Sequence, residues 1–356
     1  MTSTSTNSYL PASHRAITLW LLMCCSCIFL MVVIGGITRL TGSGLSMVEW
    51  QPIMGAIPPL NEIEWQRVFQ LYQSSPEFEK VNFGMDLSAF KEIFFWEWLH
   101  RLLGRFIGVL YAVPFLVFLL FGKIPKIYLP SFFGFFLLGG AQGLMGWYMV
   151  QSGLVDDPAV SHFRLAAHLG LAILIYALMF NMALRLSLPL SDNAAPLTPL
   201  RPMVTRCLIA LGITMLWGAF VAGLDAGLIY NEFPMMGEYP WPQEALEQHP
   251  LWLNPLTNPA TVQFIHRVLA MISGLMIIGL SLHSRNFVLT PRVRRAFTAC
   301  GVMVAIQITL GIITLLTQVQ LHVAVSHQAG ALILLTLLLW TSHEIPRKDF
   351  SEAKSY

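Results

Sequence analysis

The sequence predicts an all-α polytopic membrane protein with eight transmembrane helices arranged as two pseudo-symmetric four-helix bundles. Three observations carry that prediction. Of the 356 residues, 55% are hydrophobic and only 11% charged, whereas a water-soluble domain carries about a quarter charged residues. Eight apolar stretches are each long enough to cross a bilayer, which takes roughly 20 residues. The second half of the chain also repeats the order of the first, down to the placing of its histidines.

The first span, 17–38, follows a Ser/Thr-rich head, MTSTSTNSYLPASHRA, read as a cytoplasmic tail over 1–16. The head has one arginine and no small-residue cleavage site, so no cleaved secretory signal is predicted. Its lack of acids resembles an organellar transit peptide, but a single basic residue is too few for one. A bacterial inner (plasma) membrane is therefore the expected location, with the mitochondrial inner membrane second. Cys24, Cys25 and Cys27 lie in this span, Cys207 in the fifth and Cys300 in the seventh. Cysteine serves as a small apolar residue in helix interiors, and none lies in an outer loop, so no disulfide framework is expected.

A long outer loop, 39–93, comes next. Within it GSGLSMVEWQPIMGAIPPL holds Gly42, Gly44, Pro52, Pro58 and Pro59, which favour a bent, compact path over a regular helix. Its GSG is no nucleotide fingerprint, because no strand and helix of a soluble fold surround it. Spans at 94–121, 128–150 and 163–186 complete a first half, 17–186, and a linker over 187–203 leads to the second half, 204–343. That half has spans at 204–225, 260–283, 296–317 and 323–343, with a second outer loop at 226–259, and a tail at 344–356 ends the chain.

Orientation follows from the cations, because basic loops stay on the cytoplasmic side. Arg15, Lys123, Lys126, Arg185, Arg201, Arg206, Arg285, Arg292, Arg294, Arg295, Arg347, Lys348 and Lys354 fall on one side, with only Asp192, Glu344, Asp349 and Glu352 as acids. Both termini are thus expected in the cytoplasm and both long loops outside. The net charge of +2 hides this asymmetry and gives no reason to expect nucleic acid.

Internal similarity carries the functional reading. WLHRLLGRFIGVL at 98–110 lines up with FIHRVLAMISGLM at 264–276, placing His100 over His266, Arg101 over Arg267 and Gly108 over Gly274. AQGLMGWYMVQSGL at 141–154 resembles AIQITLGIITLLTQ at 305–318 in its Gln, its Gly and its polar tail. Each is followed by a short outer loop and a helix bearing one histidine, His168 in RLAAHLGLA and His327 in AVSHQAGAL. Four spans per half is an even number, so the halves enter the membrane from the same side and should be related by an axis along its normal.

All four histidines are expected within about two turns of the outer ends of their spans. Two imidazoles facing each other across a bundle hold a porphyrin iron from both sides. A lone histidine near a helix end is more often an interface residue, but ionisable groups inside membrane helices are rare and usually functional, and here there are two matched pairs. Zinc is disfavoured, because the second half offers no carboxylate or thiolate to complete a tetrahedral set. His14, His249, His283 and His343 read as solvated; His162 and His322 are weaker candidates for guarding the site entrance.

The halves differ in one place that matters for chemistry. Glu97 stands three residues before His100, on the same helix face, and Gln263 occupies the matching place. Arg105 follows Arg101 by four residues, where the second half has Met271. Guanidinium groups suit heme propionates. Arg101 and Arg267 also suit a plainer role, reaching the outer interface as snorkelling residues, and Glu97 is spaced to pair with Arg101 at i, i+4. A carboxyl buried beside a porphyrin can exchange a proton, so the half with Glu97 reads as the place where something is changed.

The runs GGITRLTGSGLSMVEWQPIMGAIPPL at 35–60 and NFGMDLSAFKEIFFWEWLHRLLGR at 82–105, with the four spaced histidines, resemble the heme A synthase family, in the long-loop branch that includes the mitochondrial enzymes. The resemblance implies oxidation of the C8 methyl group of heme O to a formyl group, giving heme A for aa3-type cytochrome oxidases. It implies that His266 and His327 ligate a permanent heme b, that His100 and His168 hold the substrate heme, and that Glu97 is the acid beside it. Some members carry a cysteine pair in the first outer loop, and loop 39–93 here has none, which puts a thiol-dependent mechanism in doubt. The loop is expected to cap the substrate heme, with Arg39 a weaker propionate candidate. Implied partners are heme O, the bilayer, a heme O synthase, an electron donor such as quinol, and a second copy of the chain.

Two rivals remain at this level. A diheme b-type cytochrome passing electrons from quinol would hold two unmodified hemes, and a transporter or heme carrier would need ionisable residues near the bilayer middle, which here is almost wholly apolar. Glu97 beside only one histidine pair favours the enzyme. One difficulty stays open: two histidines on the substrate iron leave no position free for oxygen.

Overall fold

The computed structural model describes residues 12–49, 54–154, 158–187 and 195–345. Most of the expected tails, Asp192 in the linker and Pro52 in the first outer loop lie outside the described residues. Eleven α-helices are present among the described residues: α1 Ala12–Leu40, α2 Glu62–Gln73, α3 Pro76–Lys80, α4 Leu87–Leu120, α5 Leu129–Gln151, α6 His162–Ser187, α7 Arg201–Gly223, α8 Asn254–Thr257, α9 Pro259–His283, α10 Pro291–Leu316 and α11 Leu321–Glu344. Eight of the helical segments are long and apolar enough to span a membrane, and these are α1, α4, α5, α6, α7, α9, α10 and α11. The chain is an all-α polytopic membrane protein.

Packing gives two rings of four. In the first, α1 packs on α4 and α6, and α5 on α4 and α6; in the second, α7 packs on α9 and α11, and α10 on α9 and α11. The rings meet where α6 contacts α7, α1 contacts α11 and α6 contacts α11. Exchanging α1 with α7 and α6 with α11 turns the first contact into the second and leaves the third unchanged, as expected of two parallel copies about an axis along the membrane normal.

Polar bonds cross this junction where lipid offers no alternative partner. Gln328 Nε2 of α11 donates to the Val32 carbonyl of α1 at 2.7 Å, and the Tyr176 and Thr336 hydroxyls of α6 and α11 meet at 2.8 Å. Toward the outer face, Arg39 binds the Asp225 carboxylate and the Ala222 carbonyl, both at 2.7 Å. Close backbone approach completes the seam. A Cβ on Gly223 would lie 2.6 Å from His162 Cβ and 2.8 Å from its Cα, at the end of α7 where it meets the start of α6.

The first outer loop keeps the expected bent path in the described part of 42–60 and adds two helices beyond it. Gly42 turns in the left-handed region, φ 63°, and the following segment is bent, but residues 62–80 form α2 and α3. Asn61 and Ser75 cap these helices by accepting from the amides of Glu64 and Phe78. Phe69, Tyr72 and Phe78 from the loop bury against Phe90 and Phe94 of α4, so α4 runs out of the membrane to meet them. It starts at Leu87 and not at 94, with Asp86 capping the Ala89 amide at 2.8 Å. His100 is therefore more than three turns inside its helix, though only six residues past 94, while His168, His266 and His327 lie within two turns of their helix starts.

Glu77 is part of this outer cluster. Only 7% exposed, it accepts from the Tyr72 hydroxyl at 3.0 Å, and the Asn82 amide donates to the same hydroxyl at 2.7 Å. Burial pushes its carboxyl up to about 7. Between the ordinary carboxyl range and that value the folded state binds the extra proton, so stability falls as pH rises across this window and levels off above it. Replacing Glu77 with Gln should flatten the pH dependence of α2–α3 protection, followed by amide hydrogen exchange between pH 5 and 8, and should slow exchange at pH 8. At the junction, Gly223→Ala should cost about 1–3 kcal/mol by forcing two backbones apart. Gly212→Ala, whose Cβ meets nothing within 4 Å, should leave thermal unfolding in detergent unchanged or slightly raised.

Candidate functional site

The four histidines sit on α4, α6, α9 and α11, and each ring lies against a glycine of a neighbouring helix. A Cβ placed on Gly35 of α1 would lie 3.3 Å from His100, on Gly146 of α5 3.1 Å from His168, on Gly218 of α7 3.1 Å from His266, and on Gly311 of α10 2.9 Å from His327. Any side chain there would press on the imidazole. His100 and His168 lie within electrostatic reach of each other, as do His266 and His327.

Three of the four rings have partners that the sequence did not reveal. His266 Nδ1 donates to the Thr214 carbonyl at 3.1 Å. A carbonyl can only accept, so the proton is on Nδ1 and the Nε2 lone pair is left for a metal. The Gln307 amide donates to the His327 carbonyl at 2.9 Å and meets its Nδ1 at 3.1 Å. Gln142 does the same for His168, at 3.1 Å to the carbonyl, 3.1 Å to Nδ1 and 3.3 Å to Nε2. The Oε1 atoms of both glutamines are buried with no hydrogen-bond partner among the described residues. The amide nitrogen of each glutamine thus lies against the edge of its imidazole while donating to that histidine's own carbonyl.

These features fit a porphyrin iron. Among the described residues no group of three or more His, Cys, Asp or Glu is gathered as for a metal ion, so each pair supplies two nitrogens. Two is the number an iron needs when a macrocycle fills its other four positions; a tetrahedral zinc site needs more.

Glu97 is 3% exposed and fully engaged. Its Oε2 accepts from the Ser46 hydroxyl at 2.6 Å and the Met47 amide at 2.7 Å, and its Oε1 accepts from Arg101 at 2.5 Å. Arg101 also donates to the carbonyls of Met47 at 2.9 Å and Glu49 at 3.3 Å. The pairing at i, i+4 is thus present, and together the two side chains fasten the first outer loop onto α4. The second half uses the same device with its polarity inverted. Arg267 donates to the carbonyls of Tyr230 at 2.9 Å and Met235 at 3.1 Å, and Gln263 Nε2 donates to Tyr230 at 3.0 Å. At this position a carboxylate accepts from one loop and an amide donates to the other.

Other expected residues fall elsewhere. Arg105 lies one turn below Arg101 on α4. Arg39 is held by Asp225 across the junction, His162 binds the Leu256 carbonyl at 3.0 Å, and His322 is exposed. All five cysteines are free, and all but Cys27 are buried. The glutamines had a legible signal, since Gln142 and Gln307 each precede the ring-packing glycine by four residues in the aligned copies. The Thr214 contact had none, because a main-chain carbonyl leaves no mark on the residue type.

Replacing Arg101 with Ala removes the cation from a buried carboxylate and two tethers from the loop. The Met47 amide should then exchange with solvent deuterium at least about tenfold faster, corresponding to ~1.4 kcal/mol, while amides at the α6–α11 contact keep their protection.

A family model described as cytochrome oxidase assembly protein, COX15-CtaA, matches residues 18–339. The heme A synthase of Rhodospirillum centenum is 46% identical over 342 residues, covering 95% of this chain and 91% of the relative. That of Nitrosospira multiformis is 48% identical over 340 residues, 95% of each chain. That of Flavobacterium johnsoniae is 40% identical over 338 residues, 94% of this chain and 99% of the relative. Matched from its first membrane helix to its last, the chain belongs to the COX15-CtaA family of cytochrome oxidase assembly proteins.

Proposed function

We propose that this protein is a heme A synthase, an oxidoreductase that converts the C8 methyl group of heme O to a formyl group. The change from R–CH3 and dioxygen to R–CHO and water moves four electrons from the methyl carbon to oxygen and breaks two C–H bonds, so the site must handle protons at the methyl group. The observation that carries the reading is the buried Glu97 carboxylate, three residues before one histidine pair, where the other half has Gln263. The name shared by the relatives supports the same reading.

In this reading the half over 17–186 takes heme O between His100 and His168, and the half over 204–343 keeps heme b between His266 and His327. Heme b, when bound, supplies one-electron transfer. Thr214 and Gln307 orient its two ligands through their Nδ1 atoms. Arg267 Nε, buried with no hydrogen-bond partner among the described residues, is available to a propionate. On the substrate side Arg101 and Arg105, one turn apart on α4, are the residues proposed for the propionates. Glu97, held by Ser46, Met47 and Arg101, takes up or returns a proton as the methyl group is oxidised, or stabilises positive charge developing there. The charge distribution supports an orientation with both termini in the cytoplasm of a bacterium and both outer loops, with the site entrances, in the periplasm. The name shared by the relatives favours this reading over a diheme cytochrome.

Cells making heme O should produce heme A when given this protein and none without it, read by chromatography of extracted hemes. Glu97→Gln should cut heme A by about a hundredfold and leave heme O or a hydroxylated intermediate in its place. An undiminished yield of heme A would sink the assignment of Glu97.

A further inference from the structure

The two histidines on the substrate iron are not held alike. His266 and His327 have Nδ1 tied at 3.1 Å, to the Thr214 carbonyl and Gln307, and the Gln142 amide holds His168 at both ring nitrogens, 3.1 Å from Nδ1 and 3.3 Å from Nε2. The His100 ring has no hydrogen bond among the described residues. The repeat shows what is missing. Met31 precedes Gly35 by four residues as Thr214 precedes Gly218, yet only the Thr214 carbonyl meets its histidine.

The His100 ring also has more room than its counterparts. A Cβ on Gly35 would lie 3.3 Å from it, against 3.1, 3.1 and 2.9 Å for His168, His266 and His327, and two of its atoms come within 4 Å where three do in each of the others. Gly35 leaves space into which the ring can turn.

We infer that His100 is the ligand that leaves the substrate iron, its ring turning in against Gly35, while His168 stays bound. The inference rests on the reading of the first half as the substrate site. An outer hydrogen bond fixes a ligating imidazole in tautomer and direction, and its loss typically costs 10–100-fold in metal affinity, so the His100 bond is the weaker of the two. On departure the iron–Nε2 bond breaks with its electron pair remaining on the ring, and neither partner is oxidised or reduced. A coordination position then opens on the α4 side, on the helix face that carries Glu97, for a small molecule such as dioxygen or water. This removes the conflict between two-histidine binding and a reaction that needs access to the iron.

The test uses the full-length protein purified from cells that make heme O, with heme b content of each sample reporting that the second half is intact. His100→Ala should retain the substrate heme at near wild-type occupancy, shift it from low to high spin, and bind carbon monoxide at least about tenfold faster after reduction. His168→Ala should lose that heme about tenfold relative to heme b. Equal loss in both variants, or carbon monoxide binding in His168→Ala alone, would overturn the assignment. Gly35→Ala keeps every ligand but crowds the withdrawn ring, so carbon monoxide should bind severalfold more slowly; an unchanged rate counts against the inference. Wild-type protein holding heme b and no second heme would instead overturn the substrate-site reading, and this inference with it.

Discussion

An imidazole between membrane helices has two nitrogens and no water to satisfy either, so the protein must supply a partner for each. Much of the architecture answers that constraint. The ring must sit close to a neighbouring helix for a main-chain carbonyl or a glutamine amide to reach Nδ1, and only glycine lets the helix come that near. The pairings α5 with α6, α7 with α9 and α10 with α11 are each marked by such a ring-on-glycine contact with a polar tie a turn away. Small residues at close helix contacts are a general solution in lipid, where apolar burial alone gives helices little reason to associate. The pairing of α1 with α4 shares the glycine and lacks the tie.

The outer loops obey a related rule. A loop lying on the end of a membrane bundle must have its main-chain groups satisfied, and both loops meet it with a helix-borne arginine aimed at their carbonyls. The neighbouring position then sets the character of each half. Gln263 donates and adds one more tether. Glu97 accepts, and so draws in an amide and a hydroxyl, producing a buried charge balanced by Arg101. Such a carboxylate depends on its partners, because removing one member of a buried ion pair leaves the other charge uncompensated.

The spans, the duplication and the four histidines were legible because each depends on residue type at a fixed period. Apolar runs of this length seldom serve anything but a bilayer crossing, and a histidine repeated in register is rare in such runs. The outer helices α2 and α3 were less legible, since Pro58, Pro59, Ser74, Ser75 and Pro76 suggest a loop, while the aromatic face of Phe69, Tyr72 and Phe78 finds its partner only in Phe90 and Phe94 of α4. That long-range packing also moves the start of α4 outward. The Arg39 pairing with Asp225 was hidden for the same reason, its partner lying 186 positions away. Gln142 and Gln307 were visible as a matched pair, but their role needed the helix pairing to be known.

The contrast between Glu97 and Gln263 also bears on how two such halves come to differ. Apart from protons, the side chains differ by one atom, an oxygen in place of a nitrogen, and the surrounding arginine, histidine and glycine are common to both. In the genetic code glutamine and glutamate codons are separated by a single nucleotide. On the proposed reading, a duplicated heme holder stood one point mutation from an acid poised beside the porphyrin, so the step from carrier to catalyst was short in sequence space even though three accepted hydrogen bonds stand at Glu97 where one is donated at Gln263.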